Sequence, residues 1–282
     1  MNMNTEHIDL LLPPEMAEQA EHVGVVKANM PALKTFILAL LAGAFIAFGA
    51  IFSTTVTAAS TLPYGVTKLL GGFVFSIGLI LVIIGGAELF TGNNLIVMAW
   101  ANKKVSTVQV LRNWFLVYMG NMAGSFFIVI LMLLSHQYLF GGGGVGINAL
   151  NIANGTCELD FMQAISLGVL CNILVCLAVW LCYSATSTSG KILSILFPVT
   201  AFVACGFEHS VANMYYIPHA ILILKFGDPK FLSSLSNATQ YTDTITWSNY
   251  FFTNLIPVTI GNIIGGAILV GMVYWFVFLR KK

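Results

Sequence analysis

Glu88 and Glu208 are acids inside long apolar runs, and their surroundings nearly repeat. The first stands in Gly86-Ala87-Glu88-Leu89-Phe90-Thr91-Gly92-Asn93, the second in Gly206-Phe207-Glu208-His209-Ser210-Val211-Ala212-Asn213. Each reads Gly-x-Glu with an Asn five positions after the acid. A carboxylate at membrane depth is costly, so a matched pair needs a shared reason. Helix interruptions in corresponding positions of two halves mark a substrate path at the repeat interface. A broken helix also frees N–H groups at the start of its second half, and anions are stabilised there. Permeation of a small anion is therefore the expected chemistry. The two acids would repel that anion, so they are expected instead to accept hydrogen bonds from the freed N–H groups and pin the loops.

His209 has no counterpart in the first segment, where Leu89 stands. Histidine changes charge near neutral pH, so His209 is expected to donate to the anion or to relay a proton. Thr91 is either its polar partner from the opposite half or a helix cap. Phe75, Leu79, Phe90 and Phe202 flank the interruptions; they either pack against lipid and neighbours or form hydrophobic constrictions. His209 and Ser210 are sequence neighbours, which rarely orients a base onto its nucleophile, and neither Gly-x-Ser-x-Gly nor His-Glu-x-x-His occurs. No catalytic group, metal or cofactor is expected. A neutral-solute channel would need no anion-attracting centre, and the paired Asn-Pro-Ala signature of water channels is absent.

These residues need membrane-spanning elements to position them. Of 282 residues, 58% are hydrophobic and 8% charged, where a soluble domain carries roughly 25% charged. The net charge of +1 gives no reason to expect a nucleic-acid partner. Six apolar runs stand out, at about 35–58, 67–102, 112–135, 161–183, 192–224 and 248–279. The second and fifth, as straight helices, would be roughly 50 Å long against a hydrocarbon core of about 30 Å. Each is expected to be one span broken by irregular backbone, at Gly85 to Thr91 and at Pro198 to Glu208. The five cysteines carry no metal or disulfide spacing and read as small hydrophobes.

Six spans put both termini on one side of the membrane. Lys27, Lys34, Lys103, Lys104, Arg112, Lys191, Arg280, Lys281 and Lys282 fall on that side, against Lys68, Lys225 and Lys230 on the other. That bias makes the termini cytoplasmic. Sequons at Asn154 and Asn237 fall on the outer side and are common by chance. Residues 14–29, with Pro13-Pro14 followed by Glu15, Glu18 and Glu21, read as an amphipathic helix at the membrane surface.

Asn113, Val117, Gly120, Asn121 and Gly124 recur as Asn254, Val258, Gly261, Asn262 and Gly265, at a constant offset of 141. Spans one and four offer only Gly43 against Gly168. The expected fold class is an all-α polytopic membrane protein of two inverted three-helix repeats, about 35–135 and 161–279, with spans 2 and 5 broken. Residues 1–30 form a cytoplasmic segment and 31–282 one channel domain. Both Gly-x-x-x-Gly segments should mark close helix contacts.

The chain resembles the formate/nitrite transporter family over essentially its full length. The match lies in Ala87 to Thr91, Gly206 to Met214 and Asn254-Leu255-Ile256-Pro257-Val258-Thr259-Ile260-Gly261-Asn262. Asp9 to Pro13 and Leu33 to Phe36 look like the formate-channel branch. The resemblance implies an aquaporin-like protomer, a homopentamer with one pore per protomer, and a bacterial inner-membrane location. It implies one constriction at Phe75 and Phe202 and another at Leu79, Leu89 and Phe90. It places His209, Thr91 and Asn262 at the pore centre and Asn172 and Asn213 nearby. Glu208 would hold His209, and Lys27 would stand near the cytoplasmic mouth. The implied substrate is formate, passed in both directions and dependent on pH, with formate–proton symport through His209 at low pH. Nitrite and hydrosulfide are the alternatives. Gating by the N-terminal helix is also implied, with His7 and His22 in that segment. Unlike some relatives, the chain has Glu158 and Asp160 but no Lys or Arg around 150–160.

Overall fold

A computed structural model describes residues 10–236 and 238–280. His7, Asp9, Asn237, Lys281 and Lys282 lie outside the described residues. No strand occurs among the described residues. Helix α1 runs Pro13–Asn29, α2 Ala32–Thr57, α3 Tyr64–Phe75, α4 Ile77–Gly85 and α5 Val97–Ala101; α6 runs Thr107–Leu134, α7 Gly144–Cys157 and α8 Phe161–Ser184. Helix α9 is Thr188–Ala204, α10 Ser210–Phe226, α11 Pro229–Ser233 and α12 Ala238–Thr244. The last, α13, is Trp247–Leu279 and carries several π-helical turns. Among the described residues, five helical stretches are long and apolar enough to cross a membrane: α2, α3 with α4, α6, α8 and α13. Helix α9 is apolar but only 17 residues long. This is a multi-pass membrane protein.

The first interruption follows α4 and ends in a 3-10 turn, Gly92–Ile96. The second lies between α9 and α10, over Cys205 to His209. It is shorter than expected, because Pro198 sits inside α9 without ending it. In a spanning helix, neighbouring groups can satisfy the carbonyl that a proline leaves unpaired, so proline is tolerated. Glycine does the breaking instead: Gly86 has φ 74° and Gly206 φ 71°. Both are the left-handed residue that closes a helix C-terminus. The next N–H reaches back identically, Ala87 N to Val82 O and Phe207 N to Phe202 O, each at 2.9 Å.

Both Gly-x-x-x-Gly segments mark close approaches. A Cβ on Gly124 would fall on the Leu40 carbonyl of α2, and one on Gly265 would fall on the Val169 carbonyl of α8. Leu40 and Val169 are 129 apart, so spans one and four correspond at that offset. Gly43 is therefore the counterpart of Asn172, not of Gly168. Its missing side chain admits the Asn121 carbonyl; Asn172 Nδ2 instead donates to the Asn262 carbonyl at 2.7 Å.

Helix α1 is held against the helical body along one face. It packs on the 3-10 turn, α5, α8 and the end of α13. Met16, Ala17, Ala20, Gly24 and Ala28 are buried. Glu21 is 5% exposed and pairs with Lys104. Helix α7 has no apolar run behind it; the sequon Asn154 is buried within it. Among the cysteines, Cys205 is exposed at the end of α9 and Cys157 is buried.

Candidate functional site

Asn121 and Asn262 hold the two breaks. Asn121 Oδ1 accepts from Phe90 N at 2.9 Å, and its Nδ2 donates to the carbonyls of Ala39 (2.7 Å) and Glu88 (2.9 Å). Asn262 Oδ1 accepts from Ser210 N at 3.0 Å, and its Nδ2 donates to Gly168 O (2.8 Å) and Glu208 O (3.0 Å). Both asparagines are fully buried. Every polar atom of Asn262 is thus spent on backbone, so it positions the second break rather than offering a group to a ligand. The backbone N–H of each acid also has a matched acceptor, Leu38 O for Glu88 (3.2 Å) and Leu167 O for Glu208 (3.3 Å).

The carboxylates take side chains, not the freed backbone N–H groups expected for them. Glu88 accepts from Asn93 Nδ2 at 2.7 Å, and Glu208 from Asn213 Nδ2 at 2.7 Å. Those asparagines are the ones five positions on. Each also donates to a further asparagine, Asn93 to Asn113 at 2.9 Å and Asn213 to Asn254 at 2.8 Å. Asn113 then donates to Lys27 O and Asn254 to Thr156 O, both at 3.1 Å. Lys27 and Thr156 are again 129 apart, so α1 and α7 are counterparts. The equivalence ends at the side chains. Lys27 Nζ lies 3.2 Å from Glu88 Oε1 and 2.7 Å from Asn93 Oδ1. Thr156 brings Glu208 no cation, and Asn254 Nδ2 donates to that carboxylate at 3.1 Å instead.

His209 Nδ1 accepts from Ala212 N–H at 3.1 Å and so caps α10. That bond assigns the neutral tautomer with its proton on Nε2. Nε2 lies 3.0 Å from Thr91 Oγ1, so Nε2–H donates and the hydroxyl accepts. His209 is 3% exposed and Thr91 0%. Glu208 does not touch His209; it acts through Asn254 and Asn213 on the loop that carries it. The second half of the first break is a 3-10 turn, Gly92–Ile96, that runs on into α5, and that of the second break is α10. The side-chain donor facing Thr91 is the imidazole.

Phe75 and Phe202 meet edge to face, with ring centroids 5.9 Å apart, and Phe202 stacks on His209 at 5.9 Å and 18°. Two cavities approach this centre from opposite sides. One, of about 250 Å³, is lined by Lys27, Glu88, Asn93, Leu79 and Leu89. The other, of about 430 Å³, is lined by Phe75, Phe202, Glu208, His209, Asn213 and Lys68. Thr91, Asn172, Asn262 and Phe90 line neither. Phe90 instead packs edge to face on Tyr118, at 4.9 Å, and on Trp114, at 6.1 Å. Asn172 Nδ2 also reaches Thr91 O at 3.3 Å and steadies the residue facing His209. Asn113, Asn121, Asn254 and Thr156 were not expected as site residues. The 141-residue repeat pointed to the three asparagines as spacing but not to their partners.

The family model for formate/nitrite transporters matches residues 14–276. The chain belongs to the formate/nitrite transporter family. It is 46% identical to the formate channel FocA of Escherichia coli (strain K12) over 275 residues, 97% of this chain and 96% of that one. It is 40% identical to the formate channel FocA of Haemophilus influenzae, over 93% of each chain. Among solved structures, a pentameric formate channel with formate bound superposes with a TM-score of 0.83 at 47% identity, covering 88% of this chain and 98% of that one. An FNT family ion channel gives 0.74 at 30%, covering 94% and 98%. The family and these relatives are transporters and channels.

Proposed function

We propose that the protein is a formate channel, with the anion met between Thr91 and His209. The observation that carries this reading is the 3.0 Å contact between those side chains, across a septum whose His209 side lines the larger cavity and whose Thr91 side is flanked by Leu89 and Gly92 of the smaller one. Full-length similarity to formate channels supports formate as the substrate. One further span, built from α9, the second break and α10, brings the five crossings to six. Counting them with the lysine and arginine bias puts both termini in the cytoplasm of a bacterial inner membrane. The 250 Å³ cavity with Lys27 then faces the cytoplasm, and the 430 Å³ cavity faces out. The matched bonding of the two breaks supports an inverted, aquaporin-like repeat. That repeat includes α1 and α7, so it spans more than 35–135 and 161–279. The likeness to a pentameric channel supports a homopentamer.

A formate ion passing the septum takes over the Nε2–H of His209 from the Thr91 hydroxyl. The Thr91 hydroxyl then turns to donate as well. Neutral His209 cannot give its Nε2 proton away, because imidazolate would remain. Formate–proton symport needs a second proton on Nδ1, and that atom is held by Ala212 N–H. Symport therefore requires the first turn of α10 to release Nδ1, whereas passive anion flux does not. The test is uptake of radiolabelled formate by proteoliposomes: uptake by wild type that Thr91→Val removes supports the reading, and absence of wild-type uptake contradicts it.

A further inference from the structure

The two helices that carry the clamps are tied to each other. Tyr118 on α6 and Thr259 on α13 join hydroxyl to hydroxyl at 2.9 Å. They are 141 positions apart, the offset that also relates Asn121 to Asn262. Each therefore bonds its own counterpart, and such a bond lies on the axis that relates the two halves. Among the described residues, α6 and α13 share few other contacts. Phe126 stacks on Trp247 with ring centroids 6.0 Å apart, farther along α6.

Tyr118 stands three residues before Asn121, and Thr259 three before Asn262, so each hydroxyl sits about one helical turn from a clamp. Asn121 holds Phe90 N and Asn262 holds Ser210 N. Helix α6 grips the first loop twice more. The Tyr118 ring packs edge to face on Phe90 at 4.9 Å, and Trp114 Nε1 donates to Asn93 O at 3.1 Å. Thr91 follows Phe90 directly, and His209 directly precedes Ser210. Apolar packing between spans is weakly directional, whereas a hydroxyl pair fixes both distance and angle. We propose that Tyr118 and Thr259 are a positioning pair. Their bond sets the separation of the two clamp helices and, through Asn121 and Asn262, the distance between Thr91 and His209. Neither residue lines a cavity, so neither meets the permeating ion itself. The consequence for transport rests on the channel reading; the consequence for the Thr91–His209 distance does not.

The variants that test the pair are Tyr118→Phe, Thr259→Val, the two combined, and Thr259→Ser. Protein carrying isotope-labelled histidine is read in lipid bilayers by solid-state NMR, and the His209 Nε2–H resonance is assigned by its loss in His209→Asn. Formate uptake by proteoliposomes is measured for the same variants. Tyr118→Phe and Thr259→Val should each move the resonance upfield, as the bond to Thr91 lengthens. Each should also raise the half-saturating formate concentration about twofold to tenfold, the range set by one hydrogen bond. The combined variant should match either single one, because the bond is broken only once. Thr259→Ser keeps a hydroxyl and should match wild type in both readouts. A resonance left in place by both Tyr118→Phe and Thr259→Val overturns the proposal, whatever happens to the unfolding temperature. So do effects that add in the combined variant. If wild type takes up no formate, the channel reading fails alone, and the His209 resonance still decides the pair.

Discussion

Thr91 and His209 stand 118 positions apart in the chain and 3.0 Å apart in space. Neither side chain reaches that position by its own helix alone. Gly86 and Gly206 end the preceding helices in left-handed turns, and Asn121 and Asn262 clamp the loops that follow. The two polar side chains are thereby presented to each other from opposite halves.

The clamps should be equivalent. Asn121→Ala strands the buried Phe90 N–H, and Asn262→Ala strands the buried Ser210 N–H. Each orphaned group costs about 1–3 kcal/mol. Thermal unfolding in detergent should show both variants destabilised by similar amounts. A large difference between them would mean that the two loops are not held by the same device.

Gly206→Ala isolates backbone strain, because a Cβ there meets nothing within 4 Å. A left-handed L-residue costs about 1–2 kcal/mol, and asparagine tolerates the conformation better. Gly206→Ala should therefore lower the unfolding temperature, and Gly206→Asn should lower it less. Equal losses would contradict the left-handed turn.

Lys27→Met leaves the Glu88 carboxylate buried without its cation. The loss should fall below the roughly 3–5 kcal/mol typical of a broken buried pair, because the Lys27 side chain keeps 25% of its exposure. Adding Glu88→Gln to Lys27→Met should recover part of the stability. A double variant as unstable as the sum of the two single ones would show that the pair is not coupled.

Much of this site was legible from spacing. Gly-x-Glu with Asn five residues on turned out to be one bonded unit, Glu88 with Asn93 and Glu208 with Asn213. The 141-residue repeat located both clamps, though spacing cannot tell which atoms an amide will bond. Helix α7 was invisible because residues 141–158 are rich in glycine and polar groups and carry no apolar run. Its kinship to α1 was hidden for a sharper reason: the two share backbone roles, through Lys27 O and Thr156 O, but not side chains. Pro198 misled because a proline in a spanning helix can be accommodated by its neighbours. Phe90 sat in the right segment but turns to Tyr118 rather than to either cavity.

Phe202 meets Phe75 edge to face and stacks on His209, so on the proposed channel reading it narrows the path. Phe202→Ala should raise passive flux several-fold and admit larger carboxylates such as lactate. Liposome swelling in formate and in lactate would measure this. Unchanged discrimination would place the selecting constriction elsewhere.

The most direct test is radiolabelled formate uptake into proteoliposomes across a range of pH, for wild type and His209→Asn, with and without a proton ionophore. With acid releasing His209 Nδ1 from the Ala212 N–H, the expected result is acid-stimulated, ionophore-sensitive uptake by wild type, with only passive anion flux left in His209→Asn. Equal uptake by both proteins at every pH would contradict the account and reduce His209 to a structural polar group.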